Sequence, residues 1–386
     1  MGYAGTLNER ERFIETLSFR TPDRIPFVPG GPRQSTLAAW QRQGLQEPSN
    51  WYGELCAAIG LPIPSFKPRT TPGVNFRMIP TFEEKILEHT PGSSEGHGHY
   101  IMQDWMGNVI EISDAYDATY IRNAIDFVTR RWIRFPVTDE ADFEAMKRRY
   151  DPHDPARYPD DFSERVQALR NRDYPCEITV NGPFWQLREW CGFEPLCALF
   201  LENPAFVEAM IAFWSDFVVT ALEPLLDAGV LDNLWVSEDM AFKAHPMISP
   251  EMTARYIAPV YARWSRLCRD AGVPLFSLDS DGCVDLLIPI WIDHGVNVSG
   301  PNEVAAGCDL NAYRARFGRS MAYTGGIDKR AIAAGGSVIE GELARLTPLI
   351  RDGGYLPSCD HGVPPDISWP NYVRYGRLLA ELTEWI

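Results

Sequence analysis

The chain has 386 residues, 45% of them hydrophobic and 12% aromatic, with a formal charge of −16. This composition excludes a disordered chain and is enough to bury a large core. The acidic balance excludes non-specific nucleic-acid binding, which needs basic patches, and no apolar run approaches the ~20 residues that cross a bilayer. The first ten residues contain no apolar leader, and Gly2 and Thr6 lack the flanks of a lipid anchor, so a cytoplasmic protein is expected. The eight cysteines are scattered without CxxC spacing and read as reduced thiols.

Asn8 is placed to cap an amphipathic helix over 8–20, with Phe13, Ile14 and Leu17 on one face and Pro22 as its stop. Ile25 to Val28 reads as a short strand running into Pro29-Gly30-Gly31-Pro32-Arg33. Helices are expected over 35–43 and 51–59, and 60–98 reads as loop with short strands. His99 to Gln103 and Asn108 to Ile112 flank a Gly-containing turn as a β-hairpin. No linker follows this region. The expectation is therefore one domain over 1–386, with 34–135 as an elaboration holding helices and a hairpin. Residues 139–172 are charged and read as two helical pieces.

Strands and helices then alternate. Cys176 to Val180 runs into Asn181 and Trp185, and Asn203-Pro204 opens a helix that Gly229 stops. Leu231 to Val236 ends in Ser237-Glu238-Asp239. Ser249-Pro250 opens a helix expected to kink at Pro259. Three more apolar runs end in Asp279-Ser280-Asp281-Gly282, in Gly300-Pro301-Asn302-Glu303 and in Gly325-Gly326-Ile327-Asp328-Lys329-Arg330. A last one ends in Cys359-Asp360-His361. Ser337 and Glu340 match a capping box, and the final helix starts near Pro370. This gives strands near 25, 178, 233, 276, 297, 322 and 356, with an eighth expected between 45 and 135. Such a pattern predicts an α/β fold, a (β/α)8 TIM barrel with its site on the C-terminal rim. Gly-rich dinucleotide and phosphate motifs are absent.

The polar strand ends are the candidate site. Asp279 and Asp281 alternate along a strand, so they converge only if the chain turns there, which Gly282 permits. Cys359 and His361 bracket Asp360, and oxygen, thiolate and imidazole ligands together would suit Zn²⁺. The alternative is a capping Asp and a packing Cys. Glu238 and Asp239 are an acid–base pair or substrate anchor, or else charges at a helix N-terminus. Asn181 and Trp185 are substrate-binding candidates, although Trp185 reads equally well as packing. Lys329 reads as part of a helix start.

On these residues the chain resembles the uroporphyrinogen decarboxylase superfamily, which includes zinc-dependent methyltransferases of corrinoid systems. The likeness runs from Arg10–Pro26 to the end. It is sharpest at 237–243, Asp279-Ser280-Asp281-Gly282, 325–330 and 360–365. The resemblance implies the barrel, the rim site and a homodimer. Two departures narrow it. True decarboxylases carry an arginine-rich run that grips porphyrin carboxylates, whereas Val28 to Thr36 offers only Arg33. The methyltransferase branch has His-x-Cys where this chain has Asp279-x-Asp281, and a later Cys that matches Cys359. The resemblance thus implies zinc held by Asp279, Asp281 and Cys359, with Glu238 or His361 protonating a leaving oxygen and Trp185 flanking a ring. The expected activity moves a methyl group from a small methoxylated, aromatic donor to the cobalt of a corrinoid protein, that is, O-demethylation. The second reading is a metal-independent decarboxylase of a small acid.

Overall fold

The computed structural model describes residues 7–62, 70–93, 96–115 and 129–386. The first six residues, on which the lipidation reading rests, and parts of the 60–98 loop lie outside these. The chain divides into two compact units. One comprises 1–73, 160–181 and 223–386; the other comprises 74–159 and 182–222.

In the second unit, β1 (Lys85–Thr90), β2 (His99–Gln103), β3 (Val109–Ser113) and β4 (Arg130–Arg134) form an antiparallel sheet in that order. The β2–β3 pair is the hairpin expected from sequence. Asp104 fixes its turn by accepting N–H bonds from Met106 and Asn108, both at 2.9 Å. Helices of this unit enclose an aromatic core. Trp214 meets Tyr150 and Trp190 edge to face, with ring centroids 5.7 and 6.0 Å apart. Trp214 lies on helix Pro204–Ala228, which is long and apolar enough by composition to cross a membrane. The sequence reading missed this property. Much of the helix surface is nevertheless consumed in protein packing, with Val207, Met210, Trp214 and Val218 buried.

The first unit holds β5 (Glu177–Asn181), β6 (Asn233–Ser237), β7 (Leu275–Asp279), β8 (Val298–Gly300), β9 (Ala322–Ile327) and β10 (Tyr355–Cys359). All six are parallel and hydrogen-bonded in sequence order. Two irregular staves flank them, completing the eight places of a (β/α)8 barrel. Beside β5, Thr70 makes one parallel rung with Cys176, its N–H donating to Pro175 and its carbonyl accepting from Glu177. This is the eighth strand expected between 45 and 135. Beside β10, the segment 25–32 bonds to Cys359 and Val363. Pro26, Pro29 and Pro32 have no N–H to donate, so this stave makes no regular ladder. Side chains satisfy its carbonyls instead. Trp385 donates to Ile25, Tyr52 to Phe27, Tyr375 to Pro29 and Tyr372 to Gly30.

Two local expectations change. Ser337 is the first helical residue rather than the cap, because Gly335 and Gly336 both take positive φ and Gly336 occupies the cap position. The kink expected at Pro259 is a π-type turn over Thr253–Ile257, just ahead of the proline. At the N-terminal strand ends, Asp232 is fully buried. Its carboxylate accepts from Arg172 at 2.6 Å, from Arg10 at 2.9 Å and from the Cys176 N–H at 2.9 Å.

Candidate active site

Asn181, Ser237, Asp279 and Gly300 occupy one register row across β5 to β8, so these strand ends share the C-terminal rim. The turn after β6 is laced onto Asp279. The N–H groups of Glu238 and Asp239 donate to the Asp279 carbonyl at 2.8 and 3.2 Å, and Ser237 Oγ donates to its carboxylate at 3.4 Å. Asp239 holds a φ of +36°, a region that costs a non-glycine residue about 1–3 kcal/mol. After β7 the chain turns sharply at Gly282, whose φ is +84°. A Cβ there would lie 2.5 Å from the Ala241 carbonyl oxygen, so only glycine lets this turn lie on the β6 loop. The turn brings Asp281 Oδ1 to 3.3 Å from His361 Nε2.

The other side of the rim is braced by Asp360. Its buried carboxylate accepts the N–H groups of Val304 and Lys329 at 3.0 and 3.2 Å, tying together the ends of β8, β9 and β10. Glu303 accepts the Gly282 N–H at 3.1 Å and pairs with Lys329 Nζ at 3.4 Å. His361 Nε2 is 4.0 Å from Glu303, so Asp281, His361, Glu303 and Lys329 form a chain of alternating charge. The Arg33 side chain lies against Gly362, and its charge helps to keep Asp281 ionised.

These surroundings separate the protonation states. Burial, reinforced by the charges of Asp281 and Asp239, pushes Asp279 up to about 7. Burial also disfavours charge on Asp281, but the His361 hydrogen bond and charge outweigh it and hold Asp281 below its ordinary value. On His361, burial is likewise outweighed, here by Asp281 and Asp360, and the ring rises to about 9. Near neutral pH the rim therefore holds one proton-bearing carboxyl beside an aspartate–imidazolium pair.

The structure thus gathers Asp239, Asp279, Asp281 and His361, with Arg33 close by and Asn181 on the same row of strand ends. Glu238 is fully buried and accepts a hydrogen bond from Tyr261 Oη at 2.5 Å, set back from the rim. Trp185 belongs to the second unit, where its indole donates to Glu189 at 2.7 Å and Arg188 lies over its ring. Sequence reasoning passed over Lys329, Glu303 and Asp360. Their position just past a strand end was the available signal, and a helix start hid Lys329.

The residues do not fit the zinc site. Among the described residues no three His, Cys, Asp or Glu side chains are gathered to hold one ion. Burial pushes the Cys359 thiol up to about 12, and Cys359 packs where a Cβ on Gly30 would approach it to 2.9 Å. Cys359, 4% exposed, thus packs as a core thiol. Cys359→Ser is accordingly expected to destabilise by about 1–3 kcal/mol through a buried hydroxyl, with turnover per folded molecule unchanged. Parallel melting and activity measurements check this, and loss of turnover at unchanged stability would restore a chemical role.

No curated protein matches this chain. Among solved structures, a methyltransferase from Methanosarcina mazei aligns over 98% of this chain and 99% of its own, at 12% identity and a TM-score of 0.58. That likeness is one of fold. A Listeria monocytogenes structure named for a vitamin-B12-independent methionine synthase aligns over 58% of this chain and 66% of its own, at 9% identity. Its TM-score of 0.35 carries no argument. The profile of the uroporphyrinogen decarboxylase (URO-D) family matches residues 125–374. That stretch is well over half the chain and includes β5 to β10 and every rim residue except Arg33, and by it this barrel belongs to the uroporphyrinogen decarboxylase family.

Proposed function

We propose that this protein is a cytoplasmic methyltransferase that demethylates a small, neutral methoxylated aromatic compound, with a corrinoid protein as methyl acceptor. The observation that carries this reading is the charge arrangement on the rim. Asp239, Asp279, Asp281, Glu303 and Asp360 cluster there, and Lys329 and His361 are already paired with Glu303 and Asp281. A decarboxylase must hold its substrate's carboxylate, and an acidic rim whose cations are engaged repels one. A neutral ether meets no such repulsion.

The acceptor's reduced cobalt supplies the nucleophile for the methyl carbon. This chain must make the departing oxygen a better leaving group. Asp279, still protonated up to about pH 7, is the general acid and gives its proton to the ether oxygen as the C–O bond breaks. Burial and the Asp281 carboxylate retain that proton on Asp279 until it is needed, against the opposing charge of His361. Asp239, fixed by its turn, does the same from the other side. We assign contact with the donor to Asn181, at the end of β5. No step runs through a metal.

The test supplies the purified chain with a methoxylated aromatic compound and a reduced corrinoid protein. Phenol should appear in step with methylated acceptor. Release of CO₂ from a small aromatic acid with no acceptor present would favour the lyase reading instead.

A further inference from the structure

The second unit presents a sheet edge that no other strand among the described residues covers. β1 is bonded on one side only, to β2. All six of its residues are exposed, Ile86 by 50% and Leu87 by 46%. The β1–β2 register slips between Ile86 and Glu88, leaving Leu87 as an extra residue. Strict alternation is lost there, and both apolar side chains stand in solvent. Lys85 and Glu88 have no ion-pair partner among the described residues. Exposed apolar edges of this kind are places where another strand adds.

The order Lys85-Ile86-Leu87-Glu88 says which strand. Laid antiparallel against itself about the Ile86–Leu87 peptide bond, it sets Lys85 opposite the second copy's Glu88 and Ile86 opposite its Leu87. The same pairs recur in reverse, as a two-fold contact requires. Both direct pairs are favourable cross-strand combinations. The opposite edge fails this test. β4 reads Arg130-Arg131-Trp132-Ile133-Arg134, and antiparallel self-pairing about Trp132 sets Arg130 against Arg134. Arg131 is also already engaged with Glu111, and Arg130 lies over the Trp132 ring.

We propose that β1 is the contact through which two copies of this chain associate, joining their sheets edge to edge in this register. The contact is independent of the methyl-transfer reading, because it involves neither the rim nor the barrel.

Sedimentation equilibrium of the full chain, from low to high micromolar concentration at fixed salt, tests it. The unaltered chain should dimerise. Glu88→Lys places like charges opposite each other at two symmetric positions and should raise the dimer dissociation constant about tenfold. The double variant Lys85→Glu with Glu88→Lys exchanges the charges and should restore it. Both positions are exposed, so circular dichroism and melting should not change. A chain that stays monomeric throughout overturns the proposal. So does a dimer that ignores Glu88→Lys, or one that the charge exchange fails to restore, since its contact would then lie elsewhere.

Discussion

Asp279→Asn is expected to lower turnover by about 10²–10⁴-fold while making the protein more stable at pH 8. The first effect follows from removing the proton donor, whose contribution to bond cleavage is of that order. The second follows from linkage. The folded protein holds the Asp279 proton up to about pH 7, whereas the unfolded chain releases it near 3.8. Between those values the folded state binds more protons than the unfolded one, so stability falls as pH rises through the window. At pH 8 the full cost of a buried carboxylate is present, and an amide removes it. Discounted for partial exposure, the gain is about 1–2 kcal/mol. In the unaltered protein, turnover should fall as pH rises through about 7, when Asp279 loses its proton. Undiminished turnover in the variant, or a flat profile across pH 7, would remove Asp279 from the mechanism.

Asp232→Ala is expected to cost about 3–5 kcal/mol, because it strips the partner from a buried arginine. The Arg172 side chain is 2% exposed and cannot recover water when the carboxylate is removed, whereas Arg10 at 39% can. The Cys176 N–H at the start of β5 also loses its acceptor. Urea titration should show a lowered midpoint with an unchanged slope. Turnover per folded molecule should hold, because the cluster lies at the strand starts, away from the rim. A loss under about 1 kcal/mol would mean that water or a neighbouring carboxylate replaces Asp232.

The six regular barrel strands were legible because each is an apolar run of suitable length that stops at a polar cluster. The two irregular staves were not fully legible. A strand of one rung at Thr70 has no period to detect, and prolines at 26, 29 and 32 leave the first stave, read as a short strand near 25, without a regular ladder. β1 was legible only as one of the unbounded short strands within 60–98, since a strand exposed on both faces shows no alternation. In the site, Asp279, Asp281 and His361 were recoverable as chemistry-bearing residues at strand ends. Their protonation states were not, because Asp279 depends on Asp239, and His361 on Asp281, each arriving from another strand. Glu238 shows the limit most clearly. Its neighbour Asp239 is half-buried at the rim, and only Tyr261, on a helix further along the chain, marks Glu238 as enclosed.

The first stave also bears on how the barrel avoids misassembly. A parallel barrel under construction exposes two raw edges until its ends meet, and parallel sheets close slowly because their contacts are distant in sequence. One of those edges here belongs to a stave with three prolines, whose carbonyls are taken by a tryptophan and three tyrosines. A foreign strand finds few donors on it and little left to accept. The irregularity of this strand thus protects the unfinished fold from aggregation.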